Sequence, residues 1–324
     1  MENCYIQIVT RAGKIYEPPI LEGFTLETER TGSPGRLVFT VVKTDNLAFH
    51  EGDRVRFTFG DKLVFVGFIF QKRRNKDHHI EVTAYDQIRY LKNKTTYLMS
   101  NVRADQVLKR ICDDYHLAMK DVPDTKFVIE KLEMQNQTML DIILESLEIT
   151  HLATRNMYYL YDDAGYLTLE SIADSHIGLT IHEESAEDFD YTSSIDSDTY
   201  NRVVVVDTEQ KSGDSVIIEE DTAPNGGQEK WGVLTYYVEA NNVSNPREYA
   251  KNILKYHNRV SRALSVSGQF GDIRARAGKR IYLNLDLGDK IATWDMVIEK
   301  CTHIFDHGHH RMDLTLIGHE EFYD

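Results

Sequence analysis

The residues best equipped for chemistry lie near the C-terminus: His303, Asp306, His307, His309 and His310. Imidazoles are the commonest metal ligands, and two of them one helical turn apart, as His303 and His307 would be, can share a Zn²⁺ ion. The local sequence opposes that geometry. Gly308 interrupts the run, and apolar–polar alternation follows it, so the segment reads as two strands joined by a turn. The same kind of turn carries His78-His79. Asp162-Asp163 offers the paired carboxylates of glycoside hydrolysis, but neighbouring residues in a turn point apart, and Asp-rich turns arise for backbone reasons. Asp113-Asp114 ends a helix and faces solvent. Cys112 lies beside the apolar face of that helix, where a buried thiol is inert. Tyr158, Tyr159, Tyr161 and Tyr166 could bind a sugar or a partner, or simply pack a hairpin on a helix. Phosphate loops, dinucleotide fingerprints, nucleophile elbows, His-Glu-x-x-His and Cys-x-x-Cys pairs do not occur. The expectation is therefore no catalytic, cofactor-binding or metal-ligating residue, no cofactor and no enzymatic activity.

Composition narrows the class. At 324 residues, with 41% hydrophobic and 27% charged residues, the chain can build two or three ordinary globular cores. A net charge of −15 opposes sequence-specific nucleic acid binding through phosphates. No stretch suits a membrane span, and Met1 to Tyr5 lack the features of a signal peptide. The three cysteines, Cys4, Cys112 and Cys301, fit reduced thiols in a cytosolic product.

The elements that must position these side chains are mostly strands. Tyr5–Val9, Leu37–Val42 and 202–206 carry strand signals, with breakers at 11–14 and 32–35. Helices are predicted over 103–116 and 139–150, the second capped by Thr138 with Asp141. A further helix at 246–262 starts with Asn245 and Pro246. A hairpin spans 158–169, and 183–190 reads as an acidic linker or exposed edge. Residues 207–232 are polar and Gly-containing and read as a long mobile hairpin that orders against a partner. The chain also echoes itself. Gly52–Phe57, Val64–Phe70 and His79–Thr83 recur in order as Gly278–Leu283, Val297–Lys300 and Arg311–Thr315. The fold class is thus mainly β with an α+β insert: a first β-domain at 1–90, an α+β domain at 91–190 and a second β-domain at 191–324.

Several of these pieces resemble the baseplate hub proteins of contractile phage tails, in particular the hub of PBSX-type prophages (late control protein D-like). The resemblance rests on Gly52–Val55 with Val66–Ile69, Ala84–Leu91 and Tyr158-Tyr159 through Leu169. It continues with Tyr200–Val203, Gly232–Tyr236, Ala250–Leu264 and Arg276–Arg280. It implies two tube-like β-barrel domains flanking the insert. It also implies a homotrimer in the assembled virion tail, with six barrels matching a sixfold tail tube and a trimeric face holding the central spike. Implied partners are the tail tube protein, the spike, and other baseplate and tape-measure proteins, assembled in the bacterial cytoplasm. Residues Val38–Val42 and Val203–Val206 are the expected edges for contact between barrels or chains, and the acidic charge is expected partly on a channel wall that repels DNA. A cell-wall hydrolase and a carbohydrate-binding tail component are the competing readings. Any peptidoglycan cutting is expected from a separate chain.

Overall fold

The computed structural model describes residues 4–318 apart from 22, 197, 208–215, 223–226, 240–245 and 288–290. The first β-unit contains β1 (Cys4–Val9), β2 (Ile15–Tyr16), β3 (Phe24–Glu29), β4 (Arg36–Val42), β5 (Arg54–Phe59), β6 (Lys62–Arg74) and β7 (His79–Tyr85). Period-two patterning sets its inner face: Leu37, Phe39 and Val41 of β4 are buried, while the residues between them are only half-buried. Gly67 lets β6 pass close to β7, since a Cβ there would meet the Tyr85 carbonyl oxygen at 2.4 Å.

The middle contains β8 (Lys94–Val102), α1 (Ala104–Tyr115), β9 (Ile129–Thr138), α2 (Met139–Thr154), β10 (Tyr158–Asp162) and β11 (Leu167–Ser171). The antiparallel pair β8–β9, with α1 between its strands in sequence, and the hairpin β10–β11 pack with both helices around Leu108, Ile111, Leu132, Ile143 and Leu160. Thr138 caps α2 by accepting from the Asp141 N–H, and Asp141 accepts in return from the Thr138 N–H.

The second β-unit begins earlier than expected, with β12 (His176–His182) and β13 (Asp188–Ser194). A separate α/β piece follows: β14 (Arg202–Asp207), β15 (Val216–Thr222), α3 (Gly227–Trp231), β16 (Thr235–Glu239) and α4 (Pro246–His257). The unit resumes with β17 (Ser261–Phe270), β18 (Arg280–Asp286), β19 (Ile291–Ala292), β20 (Asp295–Asp306) and β21 (His309–Gly318). The boundary expected at residue 190 falls within β13, because β13 pairs with β17 along its whole length and β12 pairs with β18. The acidic 183–190 stretch is therefore part of the sheet margin. Residues 202–257 do not belong to the second unit's sheet. β14 runs between β15 and β16, and its Val203 and Val205 pack against α4 and against Leu152 of α2. The helix expected over 246–262 ends at His257, since the chain is already in β17 by Ser261. Asn245 and parts of the 207–232 segment (208–215, 223–226) lie outside the described residues; β15 is the return strand of that hairpin.

The two units share one plan. The strand order is β3-β4-β7-β6-β5-β1 in the first and β13-β17-β21-β20-β18-β12 in the second. Each element of the sequence echo falls on an equivalent strand. The ladder slips at Ile69/Gln71 in β6 and at Ile298/Lys300 in β20. Gly52 and Gly278, at φ +87° and +90°, donate their N–H to the carbonyls of Ile69 and Ile298 at 2.7 and 2.8 Å. The correspondence fails at the outermost strand, where β1 is antiparallel to β5 but β12 is parallel to β18.

No closed barrel forms among the described residues. Both units belong to one 14-stranded sheet, because β3 pairs antiparallel with residues 300–305 of β20. The first unit nonetheless curls: β2 pairs with β1, and a few residues later Ile20 bridges Val41 of β4. A single bridge takes the place of the ladder a closed barrel would need. The joint carries side chains across as well, since Phe305 of β20 stacks on Phe24 inside the first unit's core. The two expected contact edges are also corrected. β4 is flanked by β3 and β7, and β14 by β15 and β16, so neither is an edge.

Candidate functional site

The chemically richest place is where the two units and the hairpin β10–β11 meet. A cavity of about 380 Å³ there is lined by Asp86, Tyr161, Asp162, Arg276, Lys279 and His303, among others. Asp86 follows β7. Its carboxylate accepts from the N–H groups of Gly35 (2.9 Å) and Ile88 (3.0 Å). Asp162 ends β10. It accepts from the Gly165 N–H at 2.5 Å and from both the backbone and side-chain N–H of Gln87 at 3.3 Å. The Gln87 side chain also donates to the Gly165 carbonyl at 2.6 Å and accepts from the Ala118 N–H at 3.0 Å. One glutamine thus ties the insert to the first unit.

Arg276 adds the second unit. Its guanidinium donates to the Asp162 carbonyl at 3.0 Å and lies 4.1 Å from the centre of the Tyr161 ring. Lys279 donates to Glu170 at 2.6 Å, and the hydroxyls of Tyr159 and Tyr161 converge on the same carboxylate at 2.7 and 3.2 Å. Burial raises the acid range of Asp86 and Asp162, and the nearby Asp162 charge raises Asp86 further.

Structure separates the pair Asp162-Asp163. Asp162 is buried, whereas Asp163 turns outward to Lys120. The histidine cluster also divides. His303 is buried, His310 half-buried, and His309 exposed at the β20–β21 turn beside His307, whose backbone is left-handed at φ 50°. His303 and His310 meet across the hairpin, Nδ1 to Nε2, at 2.9 Å. Among the described residues no group of three or more His, Cys, Asp or Glu is placed to hold a metal ion. Cys301 lies 3.4 Å from Nε2 of His303, a thiol–imidazole contact that sequence spacing did not single out. It is not an activated pair. Burial pushes the Cys301 thiol up and His303 down to about 4, and Nε2 also lies 2.8 Å from the Ala275 carbonyl. Burial pushes the Cys112 thiol up to about 12. Tyr159 and Tyr161 act in packing and in the Glu170 network, while Tyr166 at the hairpin turn is exposed.

The sequence reading missed Asp86 with Asp162, and Arg276. Asp86 and Arg276 carry no sequence signal beyond their place in the stretches 84–91 and 276–280 of the family resemblance, and the sequence pairs Asp162 with Asp163 instead. Other stretches of the family resemblance also meet in space. Gly278 packs against Tyr159, and Asn201 bonds to the Gly232 carbonyl and the Leu234 N–H at 2.8 and 2.9 Å.

The same fold is found among solved structures. A 43 kDa tail protein of prophage MuSo2 from Shewanella oneidensis is similar at a TM-score of 0.73 with 12% identity, over 100% of both chains. A type VI secretion component of E. coli, described as structurally similar to the T4 tail proteins gp27 and gp5, is similar at 0.58 with 13% identity, over 98% of this chain and 78% of that one. The chain has the fold of phage tail proteins. Its sequence is 28% identical over 309 residues to the phage-like element PBSX protein XkdQ of Bacillus subtilis (strain 168), covering 92% of each. The YQBQ-like family model matches residues 24–317, and the chain belongs to that family.

Proposed function

We propose that this chain is a structural hub of a phage-type tail, adapting a sixfold tube to a threefold spike as a trimeric ring. The observation that carries the reading is the doubled unit: one chain holds two units of matching strand order, joined where β3 pairs with residues 300–305 of β20. Three such chains supply six quasi-equivalent units on one side and three inserts to meet the spike. The tail tube protein, the spike and other baseplate and tape-measure proteins are the partners of that role, and the virion tail is its place. An acidic channel wall would let DNA pass, since like charges repel within a Debye length. The role requires no chemistry. A hydrolase built on His303 or Asp162 would have to bring substrate to groups that are 2% and 5% exposed. Cryo-electron microscopy of the assembled particle tests the proposal. Three copies, with the two β-units following one another in sixth-turn steps about the axis, are expected. Six copies, or units not related by such a step, would sink it.

A further inference from the structure

Each unit uses only half of the β3–β20 joint. In the first unit β3 gives its outer edge to β20. Its counterpart β13 pairs with β17 on one side and, among the described residues, with no strand on the other. In the second unit β20 receives β3 along residues 300–305. Its counterpart β6 pairs with β5 only as far as Phe68 and runs on to Arg74. One giving edge and one receiving edge are left over, and they are complementary by descent from the same joint.

The register follows from the repeat. The matching ladder slips place Gln71 where Lys300 stands and Arg74 where His303 stands. Leu26 faces Leu37 and Tyr191 faces Leu264, and those two leucines face Ala84 and Leu316, which in turn face Ile69 and Ile298. Tyr191 is therefore the counterpart of Leu26. Within the chain, His303 faces Leu26 and Thr302 faces Glu27. We infer that the outer edge of β13 in one copy pairs antiparallel with the end of β6 in a second copy, Arg74 opposite Tyr191 and Arg73 opposite Thr192.

Charge and exposure agree with this occupant. The β6 end carries Arg73 and Arg74, two basic residues in a chain of net charge −15, and β13 presents Asp190, diagonal to Arg73 on the same face of the proposed pairing. The joint inside the chain has the same polarity, with Glu27 of β3 bound to Lys300 of β20 at 3.1 Å. Gln71, Arg73 and Arg74 are exposed, whereas their counterparts Lys300 and Thr302 are half-buried and His303 is buried. That is the difference a missing neighbour strand produces. Free ladders at both ends are an aggregation liability unless a specific edge covers them. The contact is head-to-tail, so it repeats from copy to copy until it closes. Its closure at three rests on the proposed hub role, whereas the pairing itself does not.

Cross-linking separates the two. On a Cys4→Ser background, one full-length chain carries Arg73→Cys and another Thr192→Cys, both at exposed positions. A short bis-maleimide added to the concentrated mixture should give a covalent dimer that neither chain gives alone. Arg73→Cys mixed with Ile291→Cys, exposed on β19, should give none. Arg74→Glu should lower the yield several-fold, because it adds an acid to a contact whose other strand is acidic. A chain carrying both Arg73→Cys and Thr192→Cys should give a series ending at three. Absence of the dimer, or an equal yield with the Ile291→Cys control, overturns the inference and leaves the hub role to be judged on the particle. A ladder running past three supports the β13–β6 pairing and overturns the closed trimer.

Discussion

His303 has both ring nitrogens committed. Nε2 faces a carbonyl, which can only accept, so it carries the proton and donates to Ala275; Nδ1 is left to accept from Nε2–H of His310. A second proton would have to sit between two imidazoles in a buried space, and burial lowers both rings to about 4. His151 is lowered to about 4 by the same cause. The unfolded chain binds these protons near pH 6.5, the folded one only near pH 4. Stability is therefore complete above pH 6.5 and drains away as pH falls through that window. His303 alone accounts for roughly 3 kcal/mol across it, from the shift between its ordinary value and its value of about 4. The buried Asp86 and Asp162 work in the opposite sense, because their raised acid range costs stability as pH rises above the usual carboxylate value. Urea unfolding measured from pH 7 to pH 4 should show the loss. His303→Gln should be weaker at pH 7 by about 1–3 kcal/mol, through unpaired partners, yet show a shallower decline toward acid. An unchanged slope in that variant would mean His303 does not titrate as a buried neutral ring.

Between elements, Gly278 is where the second unit meets the hairpin β10–β11. It has the left-handed φ of Gly52 and bonds to the equivalent carbonyl, that of Ile298 in place of Ile69, but a Cβ at 278 would enter the Tyr159 ring at 2.1 Å. At Gly52 the nearest obstacle is the end of the Arg11 side chain at 2.6 Å, which can swing away. Both alanine variants bear the backbone strain, about 1–2 kcal/mol, and only Gly278→Ala must also displace a buried ring. Denaturant midpoints should therefore fall much further for Gly278→Ala, by about 3 kcal/mol or more in stability, than for Gly52→Ala. Equal losses would show that the ring moves aside freely. The two glycines were visible in the sequence because a Gly-led alternating strand is a local signal. So were the helices α1 and α2, whose apolar stripes, and for α2 the Thr138–Asp141 cap, lie within a few turns. What stayed hidden is non-local. Asp86 meets Asp162 through pairings between residues about 75 apart, and β3 meets β20 across nearly the whole chain. The sequence leaves 183–190 as either a linker or an exposed edge, because the acidic outer residues mask the alternation of Phe189 and Tyr191, and nothing in residues 188–194 names β17 as partner. Curvature is equally silent: alternation marks two faces of a strand but does not say whether the sheet curls shut or runs on into a neighbour.

The whole molecule sets two electrostatic forces against each other. A net charge of −15 makes any two copies repel, and the repulsion acts over the Debye length, about 30 Å at 0.01 M salt and about 8 Å at 0.15 M. The proposed contact joins the basic end of β6 to acidic β13, and such pairs act at a few ångströms, where added salt weakens them more slowly. Raising salt from a very low level should first remove long-range repulsion and favour association. Raising it to about 1 M, where the Debye length is about 3 Å, should then erode the contact itself. Association of the full chain should therefore pass through a maximum near physiological ionic strength. Sedimentation velocity at fixed protein concentration across a salt series measures this. With Arg73→Glu and Arg74→Glu together, the descending arm should vanish, because only repulsion remains to be screened. Association that rises steadily to high salt in the wild-type chain would mean that copies meet through apolar or backbone contacts alone, and that the charges of β6 and β13 do not face each other.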